Sequence, residues 1–212
     1  MSLDTGLLLT TLFAALLAAR LGFPPGRGTL PVLTLVVLAL LAVALAAQSA
    51  APELLSRFQR DATAIGRGEV YRLFTALWFQ DGGLAGGAFN LTMLLVVGAS
   101  AERLWNRRAW LFLYFGAGLA IECLALSWKP IGAGNSVAFF GLAGSLLAPT
   151  RLKAGHYGLW MIEAVGLCAA LALAWQRDVH GAAALLGAAL AFLLTHAGWA
   201  RNQNPAREFS AA

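Results

Sequence analysis

Seven long apolar segments constrain the fold of this chain more than any other feature of its sequence. A helix that crosses a bilayer needs about 20 mostly apolar residues, and every segment except the short fifth one comes close to that length. The segments cover residues 7–23, 30–47, 84–100, 109–128, 136–149, 157–175 and 180–199. Because a backbone in lipid must pair its polar groups internally, we expect each segment to be a helix.

The amino-acid composition leads to the same fold class. Apolar residues make up 59% of the 212 residues and charged residues only 12%, a balance that does not suit an ordinary soluble domain of this length. The sequence lacks the alternation of apolar and polar residues that marks a lipid-facing barrel strand. It therefore predicts an all-α, polytopic membrane helix bundle whose surroundings are the lipid bilayer.

The Lys and Arg residues between the segments predict the orientation of the bundle. If the segments alternate in direction, one set of connections carries nine Lys and Arg residues and the opposite set carries six. Four of those six lie in the long, charge-balanced loop 48–83, so the contrast between short loops is nine against two. We predict a multi-pass protein of the bacterial cytoplasmic membrane, with its amino terminus outside and its carboxyl terminus in the cytoplasm. These loops, beside anionic lipid, account for the net charge of +5 and give no reason to expect nucleic-acid binding.

Two polar side chains at the starts of apolar segments predict a catalytic site. Ser136 begins the fifth segment and His180 begins the seventh, so both are expected at the outer face and at similar depth. A serine hydroxyl is a poor nucleophile at neutral pH and needs a base within hydrogen-bond reach. A third, acidic member is dispensable, and we place Asp178 nearer the surface. The sequence therefore predicts a Ser–His dyad.

The start of a helix is also a favourable place for the nucleophile in acyl transfer. Free backbone N–H groups and the positive helix end stabilise the anion that forms on the substrate carbonyl oxygen. Asn90, an amide within the third segment, is a candidate further donor. On an ideal helix Ser136 points away from the small-residue face of its own segment. We therefore expect Gly134 and Asn135 to lie in a loop or an irregular helix start.

Small residues on the fifth and seventh segments predict that these two helices pack closely. The expected contact residues are Gly134, Ala138, Gly141, Ser145 and Ala148 on one segment and Ala183, Ala184, Gly187 and Ala188 on the other.

Each polar residue also has a purely structural interpretation. A serine in a membrane helix usually packs or bonds back to its own helix. His180 lies near a segment edge, where it can meet water, and Asn90 can join two helices. Glu122 and Glu163 lie inside spans, where they can pair across helices or hold a proton.

Four short motifs occur in an order that points to a known family. They are Gly-Glu-Val-Tyr-Arg-Leu-Phe-Thr at 68–75, Asn90 with Gly98 and Glu102, the segment 134–142 around Ser136, and His180 with Gly187. In this order, over about residues 30–199, they resemble the rhomboid family of intramembrane serine proteases. The family's patterns are Gly-Glu-x-Trp-Arg-Leu-x-Thr in the long outer loop, an Asn on the next helix, Gly-x-Ser-Gly, and a His on the last core helix.

The resemblance implies a domain organisation. It predicts an extra transmembrane helix and linker over residues 1–28, a rhomboid-like membrane domain with six helices over 29–200, and a short cytoplasmic tail over 201–212. The first segment has no positively charged leader and no convincing cleavage site, so we expect it to be retained as a span.

The resemblance also implies roles for the site residues. Ser136 would be the nucleophile, His180 the base, and Asn90 a donor to the oxyanion. The expected activity is hydrolysis of peptide bonds in or next to the transmembrane helices of membrane-protein substrates. This chemistry needs no cofactor or metal ion, and the sequence has no Cys, His and carboxylate cluster with ligand spacing.

Tyr71 stands where the family's loop motif usually has Trp, and two further departures keep a second interpretation open. Val137 replaces the glycine after the serine, and Gly86 stands where many active members have a histidine that helps to hold the oxyanion. The alternative is a catalytically inactive rhomboid-like protein that binds transmembrane helices. A transporter is a weaker alternative, because the spans offer few polar groups for a midplane path and no repeat.

Overall fold

The computed structural model describes residues 2–22, 30–148 and 158–199 of the chain. These residues form eleven α-helices, one π-helical turn and two very short strands. The helices are α1 Leu3–Gly22, α2 Val32–Ala50, α3 Glu53–Phe58, α4 Ala62–Gly66, α5 Arg72–Thr75, α6 Gly83–Leu104, α7 Arg107–Leu111, α8 Ala117–Trp128, α9 Ser136–Leu147, α10 Leu159–Trp175 and α11 Val179–His196. The π turn Phe112–Gly116 joins α7 to α8, and strands β1 Arg60–Asp61 and β2 Ile131–Gly132 pair antiparallel.

Each of the seven apolar segments forms a helix over most of the residues that the structure describes. Within the described residues, five helices are long and apolar enough to cross a membrane: α1, α2, α6, the continuous stretch Arg107–Trp128, and α11. The apolar helices α9 and α10 are shorter, as expected for the fifth segment. The chain is thus an all-α, multi-pass membrane helix bundle. The proposed tail 201–212, most of the linker before α2, and the last residue of the fifth segment lie outside the described residues.

Helix α9 is the central helix of the bundle, and every residue after its first is buried. Helices α1, α6, α8, α10 and α11 all pack against it. Its first residue is Ser136, at the end of the bundle where α2 and α10 finish and α6, α9 and α11 begin. We call this end the serine end. The candidate nucleophile is therefore the first residue of a helix that is otherwise buried by its neighbours.

The contact between α9 and α11 depends on glycine. A methyl group added at Gly187 would lie 1.9 Å from the carbonyl oxygen of Gly141, and one added at Gly144 would lie 1.8 Å from that of Ala184. The predicted small-residue contact is confirmed at Gly141, Ala184 and Gly187, and Gly144 joins it. Backbone-to-backbone packing of this kind leaves no room for any side chain at the crossing.

The long loop between α2 and α6 has a structure of its own, built around Arg72. The Nε of Arg72 donates to Glu69 Oε2 at 2.8 Å, and its Nη1 donates to the backbone oxygens of Ser56 and Gln59 at 2.9 and 3.2 Å. The hydrogen bond from Arg72 lowers the pKa of the Glu69 carboxyl. Arg72 thus ties α3 to α5, which explains why a Glu and an Arg occur together in this motif.

A buried ion pair joins the same loop to the helix bundle. Arg60 of β1 pairs with Glu122 of α8, and its Nε donates to the Lys129 backbone oxygen at 3.0 Å. Arg60 also faces Gly132 across the strand pair. Of the two roles expected for Glu122, the structure shows ion pairing, and its partner Arg60 lies in the loop. The strand that leads to the serine is held in place by this pair.

Glu102 fixes the other end of the bundle. Its carboxylate accepts hydrogen bonds from the backbone N–H groups of Leu33 and Thr34 at 3.0 and 2.8 Å, and from the Thr34 hydroxyl at 2.8 Å. It supplies the acceptors that the first turn of α2 needs. Gly98 lies one helical turn earlier, where a methyl group would come within 2.8 Å of Thr34 Cγ2. These contacts give Glu102 and Gly98 a structural role in joining α2 to α6.

Candidate active site

The structure brings Ser136 and His180 into direct contact at the serine end. Ser136 Oγ lies 2.9 Å from His180 Nε2, and both residues are half-buried. The ring of Phe140, one turn below Ser136, packs against the imidazole with centroids 5.0 Å apart. The pair has the hydrogen-bond geometry that a nucleophile and its base require.

The local backbone explains how Ser136 reaches the histidine. Gly134 and Asn135 precede the helix, and α9 begins at Ser136 itself, so the expectation of a loop at this point is confirmed. The Gly134 N–H donates to the Ala76 backbone oxygen at 2.9 Å, which fixes the loop from the α5 side. Because Ser136 follows this loop, its side chain need not point in the direction that an ideal helix would give it, and it points toward α11.

Asp178 contacts His180 more closely than the sequence indicated. It caps α11, so its Oδ1 accepts from the His180 backbone N–H at 2.8 Å and lies 2.7 Å from His180 Nδ1. Lys129 Nζ lies 3.3 Å from the other carboxylate oxygen. Burial acts to raise the pKa of Asp178, but the bonds from His180 and the Lys129 charge outweigh it and hold that pKa well below its usual range.

The carboxylate therefore selects one imidazole tautomer. With Nδ1–H donating to Asp178, the lone pair of Nε2 faces Ser136 Oγ and can accept its proton. The sequence placed Asp178 nearer the surface than the pair, because it lies just before the start of the seventh apolar segment. A capping residue lies outside the helix, and its side chain folds back over the first turn.

Asn90 lies across Gly134 from the serine. A methyl group built on Gly134 would lie 3.3 Å from Ser136 Oγ and 3.8 Å from Asn90 Nδ2. The missing side chain of Gly134 therefore leaves space between the hydroxyl and the amide, where a substrate carbonyl would need room. All three residues selected from the sequence, Ser136, His180 and Asn90, lie in one neighbourhood.

Two glutamines that sequence reasoning missed also lie here. Gln80 is 1% exposed and bonds both Asn90 and Asn135, while Gln48 of α2 bonds the Gln80 backbone. Their only sequence signal was a polar amide at the boundary of an apolar segment, which is common.

The structure accommodates the departures at Val137 and Gly86 in different ways. Val137 is 4% exposed and joins the apolar core, so its side chain points into the bundle while Ser136 still meets His180. Apart from the neighbouring backbone of its own helix, a methyl group on Gly86 would have no atom of the described residues within 4 Å. Gly86, the position where the resembled family usually has a histidine, therefore faces open space on α6, one turn before Asn90.

Fold and site together define a multi-pass membrane protein with a Ser–His pair at one end of its bundle. Part of the chain is similar to rhomboid protease GluP of Bacillus subtilis (strain 168), with 34% identity over 89 residues. That stretch covers 42% of this chain and 17% of GluP, so the chain matches only a small part of that relative. No protein-family model and no solved structure matches the chain. The similarity supports a relationship to rhomboid proteases and a family-level function of that kind.

Proposed function

We propose that this chain is an intramembrane serine protease of the rhomboid type, which hydrolyses peptide bonds in or next to the transmembrane helices of membrane-protein substrates. The observation that carries the proposal is the 2.9 Å contact between Ser136 Oγ and His180 Nε2, each at the head of a helix in an apolar bundle. The partial similarity to a rhomboid protease supports the same conclusion.

In the proposed reaction, His180 Nε2 takes the proton of Ser136 as its Oγ attacks the substrate carbonyl carbon. The negative charge then forms on the carbonyl oxygen, near Asn90 Nδ2 and the backbone N–H of Ser136 at the start of α9. His180 returns the proton to the leaving amine, and water attacks the acyl-enzyme by the same route in reverse. Asp178 orients His180 and stabilises the imidazolium that forms between these steps.

The proposed substrate is a transmembrane helix that unwinds locally. A helical backbone uses its carbonyl groups in its own hydrogen bonds, so the bond to be cut must leave the helix before Ser136 can reach it. Small, helix-breaking residues near the cut would lower the cost of this step. The substrate, rather than the enzyme, is therefore expected to set much of the cleavage-site preference.

The proposed location is the bacterial cytoplasmic membrane, with the serine end at the outer face. This orientation places most Lys and Arg residues of the short loops in the cytoplasm. Helix α1 would be an added span before a six-helix, rhomboid-like domain over residues 29–200, and it packs on α9 and α10.

The second candidate is an inactive rhomboid-like protein that binds transmembrane helices. The observation that favours it is Gly86, which leaves open space where the resembled family often has an oxyanion donor. Loss of one such donor typically costs about 3–4 kcal/mol of transition-state stabilisation. An enzyme without that donor would still cleave slowly, whereas a binding protein would not cleave at all, so an activity measurement can distinguish them.

A cleavage assay separates the two candidates. Purified protein is reconstituted in vesicles with fluorescent transmembrane peptides that carry small residues near their outer end. We expect cleavage by the wild-type chain, and none by Ser136→Ala or His180→Ala at the same folded concentration. If all three variants bind the peptides equally and cleave none of them, the binding protein is the better description.

A further inference from the structure

We propose that Gln80 is a positioning residue, which holds the Asn90 amide in the orientation that donates to the oxyanion and ties it to the segment before Ser136. This inference rests on the proposed protease function.

The side chain of Gln80 bridges two elements of the site. Its Oε1 accepts a hydrogen bond from Asn90 Nδ2 at 2.8 Å, and its Nε2 donates to Asn135 Oδ1 at 2.9 Å. Asn90 belongs to α6, while Asn135 immediately precedes Ser136 at the N-cap position of α9. One side-chain amide thus connects the oxyanion donor to the nucleophile loop.

The backbone of Gln80 is itself fixed from a third helix. Gln48 of α2 accepts from the Gln80 N–H at 2.9 Å and donates to the Gln80 carbonyl oxygen at 2.7 Å. The next residue, Asp81, exchanges hydrogen bonds with Ala133 at 3.2 and 3.0 Å. The side-chain amide of Gln80 therefore extends from a buried residue with an anchored backbone, so it has little freedom to follow Asn90 if that side chain turns.

An amide has one donor end and one acceptor end, which gives this bridge its directional effect. Because Gln80 Oε1 takes one N–H of Asn90, the acceptor end of the Asn90 amide is turned away from Gln80 and its second N–H remains available. Without Gln80, Asn90 can rotate and present its oxygen to the oxyanion, which would repel it. This interaction matters most when negative charge develops, so its loss should lower kcat more than it raises KM.

The test is a double-mutant cycle in vesicles with a cleavable transmembrane peptide. The proteins are wild type, Gln80→Leu, Asn90→Ala, and the double variant, with Gln176→Leu as the matched control. Gln176 is exposed at the end of α10 and bonds only its own helix, to Ala172, so its variant should match wild type. We expect Gln80→Leu to lower kcat about 10–100-fold with KM within about twofold of wild type. The double variant should be no slower than Asn90→Ala.

Three results would overturn the inference while leaving the protease function in place. They are an unchanged kcat in Gln80→Leu, a loss that falls mainly in KM, and losses that multiply in the double variant. A wild-type chain that cleaves nothing would overturn the protease function and this inference together.

A second variant covers the case in which Gln80→Leu does not fold. Gln80→Glu keeps the shape, but an ionised carboxylate cannot donate to Asn135, whereas a protonated one can. The activity of Gln80→Glu relative to wild type should therefore rise as the pH falls. A constant ratio across the pH range would contradict the positioning role.

Discussion

Replacing Gly187 with alanine should separate the serine from the histidine. The new methyl group would lie 1.9 Å from the carbonyl oxygen of Gly141, a backbone atom that no side-chain rotation can move. Gly187 lies seven residues after His180, two turns along the same helix face. A shift of α11 at this crossing is therefore transmitted directly to the imidazole.

The size of the shift follows from the contact distance. Ordinary contact begins at 3.4 Å, so the crossing must open by about 1.5 Å, the difference between 3.4 and 1.9 Å. If α11 moves away from α9 as a rigid body, the 2.9 Å contact between Ser136 and His180 lengthens to about 4.4 Å, which is beyond hydrogen-bond range. Overpacking of this kind costs about 1–3 kcal/mol of stability, while loss of the general base slows the reaction by about 10²–10⁴-fold.

The assay compares two rates and one melting temperature in detergent. We expect Gly187→Ala to lose peptide cleavage and fluorophosphonate labelling by at least about 100-fold, while a folded population remains at assay temperature. The control is Gly116→Ala, whose methyl group meets its nearest neighbour at 3.5 Å and should leave both rates unchanged. A folded Gly187→Ala protein with wild-type rates would refute the reasoning, because it would mean that the α9–α11 crossing does not set the distance between the two side chains.

Three further substitutions test separate parts of the structure and of the proposed mechanism. Asp178→Asn should slow cleavage by about 10²–10⁴-fold, because the asparagine no longer fixes the His180 tautomer; unchanged kinetics would remove Asp178 from the mechanism. The pKa of Asp178 in the folded protein lies below its unfolded value of about 3.9. The ionised carboxylate therefore stabilises the fold above that pH, and this stabilisation is lost as the pH falls through the lower folded value. Between about pH 5 and pH 2, the melting temperature should fall less steeply for Asp178→Asn than for wild type. Gly134→Ala should lower cleavage about 10–100-fold, since its methyl group crowds Ser136 Oγ at 3.3 Å, and equal rates would show that the substrate does not pass this point. Glu102→Ala should cost about 1–3 kcal/mol of stability with little change in kcat per folded molecule, because it leaves the Thr34 N–H and hydroxyl without their acceptor; a normal melt would contradict that role.

Apolar length and small-residue spacing were enough to predict the bundle. A bilayer leaves the chain few alternatives, so the seven segments could be found by hydrophobicity, and their order placed Ser136 and His180 at one end. The crossing at Gly141 and Gly187 followed from the same logic, because only small residues allow two membrane helices to touch along their backbones.

The polar connections of the site could not be predicted in the same way. Asp178 reaches His180 only because it caps a helix, and its exact position depends on where α11 begins. Gln80 joins residues that are 10 and 55 positions away in the chain. Such contacts depend on the three-dimensional path of the loops between helices, for which hydrophobic periodicity gives no information.

The proposed mechanism requires that Ser136 Oγ is a nucleophile activated by its contact with His180. The most direct measurement is fluorophosphonate labelling of the purified, folded chain in detergent, followed by mass spectrometry of its peptides to find the modified residue. We expect one adduct, on Ser136, and none in His180→Ala. A folded wild-type chain that forms no adduct, or forms one that survives Ser136→Ala, would contradict it.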